Sequence, residues 1–243
     1  LYPRPQLKRE SFFLLNGQWD FAFDDENIGV LEGWSHTVRG DRKINVPFTY
    51  ETGKSGIGDE RPHGVIWYWK NITITNEFKK DQSIQINFEG CDYHLDLWVN
   101  GVYKGSHDGA YTRFAFELGK FAEGEEVLLS IRVEDPHSEE QVRGKQRWLS
   151  DNYGCWYVQT TGIWKDVWLE QVSDDYVEKI KITPDIYKKT VTIHTMCHSN
   201  KENLIMKSDV YFEGKFINSV SGKLEAGVCQ MDIDVYNKYV GEW

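Results

Sequence analysis

The sequence is short of several things, and each shortage excludes something. It holds four cysteines, Cys91, Cys155, Cys197 and Cys229, scattered widely. None forms a CxxC, and no histidine stands at zinc-ligand spacing from one, so no metal site and no cofactor is expected. One or two disulfides fit that scatter as well as four reduced thiols do. The compartment therefore stays open between cytoplasm and a periplasmic or secreted setting. No apolar run approaches the roughly 20 residues of a membrane-spanning helix, which argues against a membrane partner. Positive charge is in deficit, 28 Lys and Arg against 38 Asp and Glu, a net charge of −10. That field repels a phosphate backbone and argues against nucleic acid as a partner. The chain opens Leu1-Tyr2-Pro3-Arg4-Pro5 without an initiator Met, so a trimmed start is expected, and a signal peptide would be invisible. Amphipathic helices longer than two turns, internal repeats and low-complexity stretches are all missing.

What is abundant is aromatic side chains, 14% of residues with 10 Trp and 13 Tyr. Rings of that number build a β-core, and any surplus on the surface offers flat faces to the apolar side of a sugar. Apolar residues alternate with polar ones in Ile84, Ile86, Phe88; in Leu95, Leu97, Val99; in Phe114, Phe116, Leu118; and in Val127, Leu129, Ile131, Val133. A period of two means strands with one buried face. Asn100-Gly101 predicts a type I′ hairpin turn, and Asn16-Gly17 a similar turn before Trp19, Phe21 and Phe23. Phe121 to Glu126 has room for one short helical turn. Many short strands joined by long connections, 24–44 and 135–160, indicate an all-β jelly-roll sandwich with elaborated loops.

The pattern changes near residue 173. Tryptophan disappears until Trp243, and alternation restarts with Val177, Ile180, Ile182; Val191, Ile193; Met206, Val210, Phe212; and Met231, Ile233, Val235. Glu213-Gly214-Lys215 offers a turn. The expected domains are 1–172, a jelly roll, and 173–243, an immunoglobulin-like β-sandwich. The second, at about 70 residues, is shorter than the roughly 100 of a complete immunoglobulin-type domain. It is expected to be incomplete.

A series of motifs then points to a family. Tyr2-Pro3-Arg4-Pro5-Gln6-Leu7 and Leu15-Asn16-Gly17-Gln18-Trp19 resemble the opening of family 2 glycoside hydrolases. Val46-Pro47-Phe48 ahead of Trp67-Tyr68, Phe88-Glu89-Gly90-Cys91-Asp92-Tyr93 with Trp98-Val99-Asn100-Gly101, and His107-Asp108-Gly109-Ala110-Tyr111 continue it. Arg143-Gly144-Lys145-Gln146 with Trp148, and Thr161-Gly162-Ile163-Trp164 through Glu170, complete it. The resemblance covers residues 1–170 in order and runs more loosely beyond. It implies the sugar-binding front of a β-galactosidase, β-glucuronidase or β-mannosidase, followed by a (β/α)8 barrel that holds the two catalytic glutamates of a retaining mechanism. Neither glutamate is expected in this chain. Asn76-Glu77 imitates the family's acid/base pair, but it stands where a strand meets a polar stretch, and nothing would hold a second carboxylate opposite it.

The resemblance directs attention to the loop from Asp135 to Thr161. Its counterpart reaches toward the barrel's sugar site, and some members carry a substrate-touching aspartate where this sequence has Trp156. The change removes the expected hydrogen bond and leaves two readings for Trp156: packing at the domain–barrel interface or in the core, and stacking on a sugar or aglycone. The candidate carbohydrate or barrel-interface residues are Trp156, Tyr157, Arg143, Lys145, Gln146, Trp148, Asp108 and Tyr111. Arg143 and Lys145 suit an acidic or hydroxylated substrate, or solvated charge. His107 and Asp108, adjacent on a strand, point to opposite sides and suit turn-fixing better than ligation. Asn71-Ile72-Thr73 matches a glycosylation sequon but falls in a predicted strand.

Three functions remain in view. The first is the non-catalytic part of a retaining exo-β-glycosidase, supporting its own barrel and shaping the pocket rim. Arg-Gly-Lys-Gln and Gly-Ile-Trp lean toward β-galactosidase; His-Asp-Gly-Ala-Tyr keeps β-glucuronidase open. The second is a stand-alone carbohydrate-binding module, marked by coplanar exposed rings. The third is a structural or homo-oligomer-forming domain, marked by an apolar patch without convergent polar groups.

Overall fold

A computed structural model describes residues 4–136 and 140–235. Its regular structure is β, with two short 3-10 turns and no α-helix among the described residues. Two compact units divide it: Glu10–Gln171, and the residues up to Arg9 together with those from Val172 onward.

In the first unit the strands are β1 (Phe12–Leu14), β2 (Gly17–Phe23), β3 (Arg42–Val46), β4 (Val65–Thr73), β5 (Ser83–Phe88), β6 (Cys91–Asp92), β7 (His94–Val99), β8 (Val102–Asp108), β9 (Phe114–Gly119), β10 (Glu126–Glu134), β11 (Gly162–Ile163) and β12 (Val167–Val172). They form a four-stranded sheet, β1-β12-β5-β9, and a six-stranded sheet, β3-β2-β4-β10-β7-β8, with β6 and β11 as a small pair. This is the expected β-sandwich. The alternation read from the sequence is its cause. Leu95, Leu97 and Val99 of β7, and Val127, Leu129, Ile131 and Val133 of β10, point into one core with Ile84, Ile86 and Phe88. The Asn100-Gly101 turn has positive φ at both residues, 49° and 78°, and joins β7 to β8 as predicted.

Strand β4 is buried on both sides. Ile66 and Tyr68 face the core, while Trp67 and Trp69 form a second cluster on the outer face. The connection 24–41 covers that cluster. Asp24 fastens it, accepting from the Ile28 amide at 2.8 Å, the Gly29 amide at 2.9 Å and the Trp67 indole at 2.9 Å. Trp69 donates to the Trp34 carbonyl at 2.8 Å. This long loop is therefore part of the packing.

Two local expectations fail. Asn16-Gly17 does not close a hairpin, because β1 pairs with β12 whereas β2 pairs with β3 and β4. The Asn16 side chain instead bridges to Asp166 and the Val167 amide, at 2.7 and 3.2 Å, and carries the chain from one sheet to the other. Phe121 to Glu126 makes a turn closed by the Glu125 amide on the Ala122 carbonyl at 3.1 Å, not a helix. Strand β10 takes over at Glu126 before a helical turn can propagate.

The second unit holds β13 (Tyr176–Asp185), β14 (Thr190–His198), β15 (Ile205–Phe212), β16 (Lys215–Lys223) and β17 (Val228–Asp234), as a three-stranded sheet β13-β14-β17 and a hairpin β15-β16. The hairpin turns at Glu213-Gly214, both at positive φ. Ile193 of β14 and Cys229, Met231 and Ile233 of β17 are buried, whereas Ile182 is 59% exposed despite its place in the pattern.

All four cysteines are free. Asn76 and Glu77 lie exposed in a turn, as expected. Asn71 and Thr73 of the sequon are exposed along β4.

Candidate functional site

Residues 141–161 fold back over one end of the first sandwich and are held there by buried polar groups. Gln146 is 3% exposed and is the centre of the attachment. Its amide nitrogen donates to Asp92 Oδ2 at 2.8 Å, and its carbonyl oxygen accepts from the Thr160 amide at 2.9 Å. Thr161 Oγ1 donates to Asp135 Oδ2 at 2.9 Å, and Gln141 donates to Asp135 Oδ1. Arg147, 6% exposed, is bound to Glu60 at 2.9 Å and to Asn152 at 2.9 Å. Gln159 donates to the Glu60 carbonyl at 2.9 Å. Within the loop, the Arg147 amide bonds the Tyr157 carbonyl and the Tyr157 amide bonds the Lys145 carbonyl, at 2.6 and 3.0 Å.

Three carboxylates lie beneath this seat. Asp92 comes from β6, Asp135 follows β10, and Glu51 comes from the β3–β4 connection; they are 1%, 1% and 5% exposed. Neither Glu51 oxygen has a well-aligned hydrogen-bond partner, and Asp92 Oδ1 has none. Burial pushes Glu51 up to about 8, with the charge of Asp135 adding to it and the nearby hydroxyls of Thr49 and Thr161 opposing it. Burial and then Asp135 push Asp92 up to about 7, with Gln146 and Thr160 opposing. The ordinary values are 4.5 and 3.8. Burial likewise raises Tyr50, Tyr68 and Cys91. Both carboxyls hold protons more tightly folded than unfolded. Their contribution to stability is fully present below the ordinary carboxylate range and is lost as pH rises through about 7 and then about 8.

Above the seat lie the candidates singled out from sequence. Trp148 is 52% exposed and meets Trp156 edge-on at 4.7 Å and Tyr153 at 5.5 Å. Trp156 is half-buried. The Arg143 guanidinium lies 5.7 Å from the Trp148 ring centre. Lys145 is exposed. The Tyr111 and Tyr157 hydroxyls converge over Gly144, where a Cβ would stand 3.3 and 3.5 Å from them. Tyr111 also meets Trp164 edge-on at 6.0 Å.

Asp108 has a different setting. Its carboxylate is paired with His94 at 2.8 Å, while the adjacent His107 turns to the other side of β8 and stacks on Phe114 at 3.9 Å. The opposite orientation expected of neighbours on a strand is thus observed. The loop candidates and Tyr111 lie together at the seat. Gln146, expected at the rim, is instead the buried anchor.

Glu51, Asp135 and Glu60 were not legible as site residues. All three are ordinary acids in the sequence, which does not say that the fold brings them to the same end of the sandwich. No group of three or more His, Cys, Asp or Glu among the described residues is placed to hold a metal ion. We expect Gln146→Ala, which leaves buried Asp92 without its main donor, to destabilise the first unit by about 1–3 kcal/mol. Urea denaturation followed by tryptophan fluorescence reads this directly.

Fold and loop together define a two-sheet β-sandwich with a long aromatic loop anchored at one end. The family model described as the sugar binding domain of glycosyl hydrolases family 2 matches residues 12–173. The chain belongs to that family. Among curated relatives it is 28% identical over 165 residues to a putative β-glucuronidase of Formosa agariphila, covering 65% of this chain and 19% of that protein. It is 27% identical over 213 residues to a β-galactosidase of Thermoanaerobacterium thermosulfurigenes, covering 86% and 28%. The crystal structure of Ruminococcus gnavus β-glucuronidase has the same fold, with a TM-score of 0.70 at 16% identity, covering 98% of this chain and 41% of that one. The chain thus spans less than a third of the length of those two curated relatives.

Proposed function

We propose that this chain is the non-catalytic front part of a retaining exo-β-glycosidase, supporting a catalytic (β/α)8 barrel and shaping the rim of its pocket. The observation that carries this reading is the loop. Its aromatic and cationic side chains are held at one end of a rigid sandwich by buried hydrogen bonds, as a rim on a fixed support requires. The proposed partners are that barrel and, at the shared rim, a carbohydrate. A β-galactoside is the first substrate reading, from the Arg143-Gly144-Lys145-Gln146 and Gly162-Ile163-Trp164 motifs. A β-glucuronide is the second. Its carboxylate suits Arg143 and Lys145, and the relatives include enzymes of both names.

Retaining hydrolysis needs two carboxyl groups about 5–5.5 Å apart across one glycosidic bond. The carboxyls gathered here lie beneath the loop, shut away from any sugar. The 243-residue chain is therefore expected to show no hydrolysis of nitrophenyl β-galactoside or β-glucuronide above buffer. Turnover that scales with protein concentration would sink the non-catalytic reading. In a protein that joins this chain to the proposed barrel, Trp156→Ala is expected to raise KM more than it lowers kcat. An unchanged KM would remove Trp156 from the rim.

A stand-alone binding module calls for coplanar rings, and the exposed rings here meet edge-on, at 66° and 83°. Assembly is the alternative that a specific observation favours. The β15-β16 hairpin exposes Tyr211, Phe212 and Phe216. Sedimentation of the chain as a monomer would set that reading aside.

A further inference from the structure

A sheet edge without a neighbour presents backbone N–H and C=O groups that another strand can pair with, and folded chains usually blunt such edges. In the second unit β13 is blunted. It carries Pro184, a bulge at Glu178, and the charges of Lys179 and Lys181. β15 is not. It has β16 on one side and, among the described residues, no strand on the other. It runs Ile205-Met206-Lys207-Ser208-Asp209-Val210-Tyr211-Phe212, without proline or glycine. The one irregularity in its pairing falls on β16, where Ile217 is the extra residue between the partners of Val210 and Tyr211.

The direction of its free groups follows from the register. The Leu224 amide donates to the Leu204 carbonyl at 2.9 Å, one pair before the ladder begins at Ile205 and Lys223. Hydrogen-bonded pairs alternate in an antiparallel ladder. Met206, Ser208 and Val210 therefore bond β16, and the backbone groups of Ile205, Lys207, Asp209 and Tyr211 point to the free edge. The side chains of the same four residues stand on the exposed face, with Ile205 73% and Tyr211 60% exposed. Tyr211 is propped edge-on by Phe216 across the hairpin at 5.8 Å. Along the edge the exposed row reads apolar, positive, negative, apolar.

That row is complementary to itself. Laid antiparallel about Ser208, two copies set Ile205 opposite the partner's Tyr211 and Lys207 opposite the partner's Asp209. Each contact occurs twice, as a two-fold axis requires. Centring the pair on Lys207 or on Asp209 instead sets like charges opposite each other, which is destabilising, so one register is favoured. We propose that β15 is a homodimerisation edge, which pairs with β15 of a second copy of this chain, antiparallel about Ser208. The two hairpins then form one continuous sheet. Backbone hydrogen bonds hold it and the Lys207–Asp209 contacts set its register. Within one chain Lys207 and Asp209 already lie 3.1 Å apart on the exposed face. An exposed pair of that kind is worth little, so exchanging it for two pairs between copies costs little. The inference makes the assembly alternative specific and does not rest on the glycosidase reading.

The test uses the intact 243-residue chain and single variants of it. Sedimentation velocity from about 1 to about 500 μM is expected to show the unaltered chain passing from monomer to dimer. Lys207→Asp and Asp209→Lys each set like charges opposite each other, and each alone is expected to weaken the dimer at least about tenfold. Mixed in equal amounts, they are expected to form a mixed dimer within about threefold of the original affinity. The acidic row of one then faces the basic row of the other. That recovery needs two chains, so a change confined to one fold cannot produce it. If either charge variant fails to fold, Ser208→Cys decides. At the axis the two Cα atoms stand about 4.5 Å apart, close enough for an interchain disulfide, and its absence from the oxidised dimer overturns the register. A chain that stays monomeric across the range overturns the proposal and the assembly alternative together. A dimer that both charge variants leave intact, or a mixture no tighter than either alone, overturns the edge pairing and leaves assembly standing. Slow exchange of the Ile205, Lys207, Asp209 and Tyr211 amides in a monomer would show the edge covered within one chain, and overturns it equally. None of these readings involves hydrolysis, so the glycosidase reading fails separately.

Discussion

Gly162→Ala is expected to be the most damaging single methyl in the first unit. Gly162 opens β11, is paired with Asp92 of β6, and has φ of +94°. A Cβ there would stand 2.1 Å from the Tyr68 hydroxyl and 2.9 Å from Ile66 Cδ1. Both neighbours are fully buried, and Tyr68 also receives the Ile163 amide at 3.3 Å. Neither has anywhere to move. Left-handed backbone at a non-glycine residue costs roughly 1–2 kcal/mol, and overpacking a filled core costs about 1–3 kcal/mol. The expected loss is about 2–5 kcal/mol, a fall in Tm of roughly 5–20 °C for a unit of this size. The damage falls next to Asp92 and Thr161, so the 141–161 loop should lose its seat in the same variant. A thermal scan within about 2 °C of the unaltered chain would show that the sandwich end is softer than this packing implies.

Trp67→Ala is expected to cost about 3–5 kcal/mol. Trp67 is fully buried, stacked between Trp69 at 5.8 Å and Trp98 at 5.3 Å, with Trp34 edge-on at 6.0 Å. The 24–41 connection lies flat on it, since a Cβ at Gly29 would stand 2.6 Å from its indole nitrogen. Removing the ring leaves a large hole and takes away one of the three donors to Asp24. Both effects release the covering loop. The urea midpoint should drop accordingly, and exchange protection over residues 28–34 should drop with it. Trp148→Ala is the contrast. Half of that ring faces solvent, so its loss should change stability by no more than about 0.5 kcal/mol. Similar costs for the two would mean that the outer-face cluster contributes little.

Strand identity was legible in the sequence because it is a local matter. A period of two places alternate side chains on one face, and water repels the apolar set whatever the topology. The runs through Leu95, Val127 and Ile84 therefore became β7, β10 and β5, and Asn100-Gly101 became the turn its positive φ requires. The family was legible too, because its motifs are spread in order along residues 1–170. The loop of residues 135–160 was legible as an unusual connection rich in rings and amides.

Other features depended on residues far apart in the chain. Asn16-Gly17 has the composition of a hairpin, yet the pairing of β1 with β12 turned it into a crossing between sheets. Ile182 fits an apolar pattern and is nevertheless exposed. Gln146 reads as a polar rim residue and is the buried anchor, because Asp92, 54 positions earlier, waits beneath it. Glu51, Asp92 and Asp135 are ordinary acids in the sequence. Only the closing of one end of the sandwich brings them together out of water, and the energy of a buried charge depends on that surrounding rather than on the residue itself. The sequence by itself determined the strands, the core and the family; the tertiary structure decided which polar residues are buried together, because that depends on which distant segments close over one end of the sandwich.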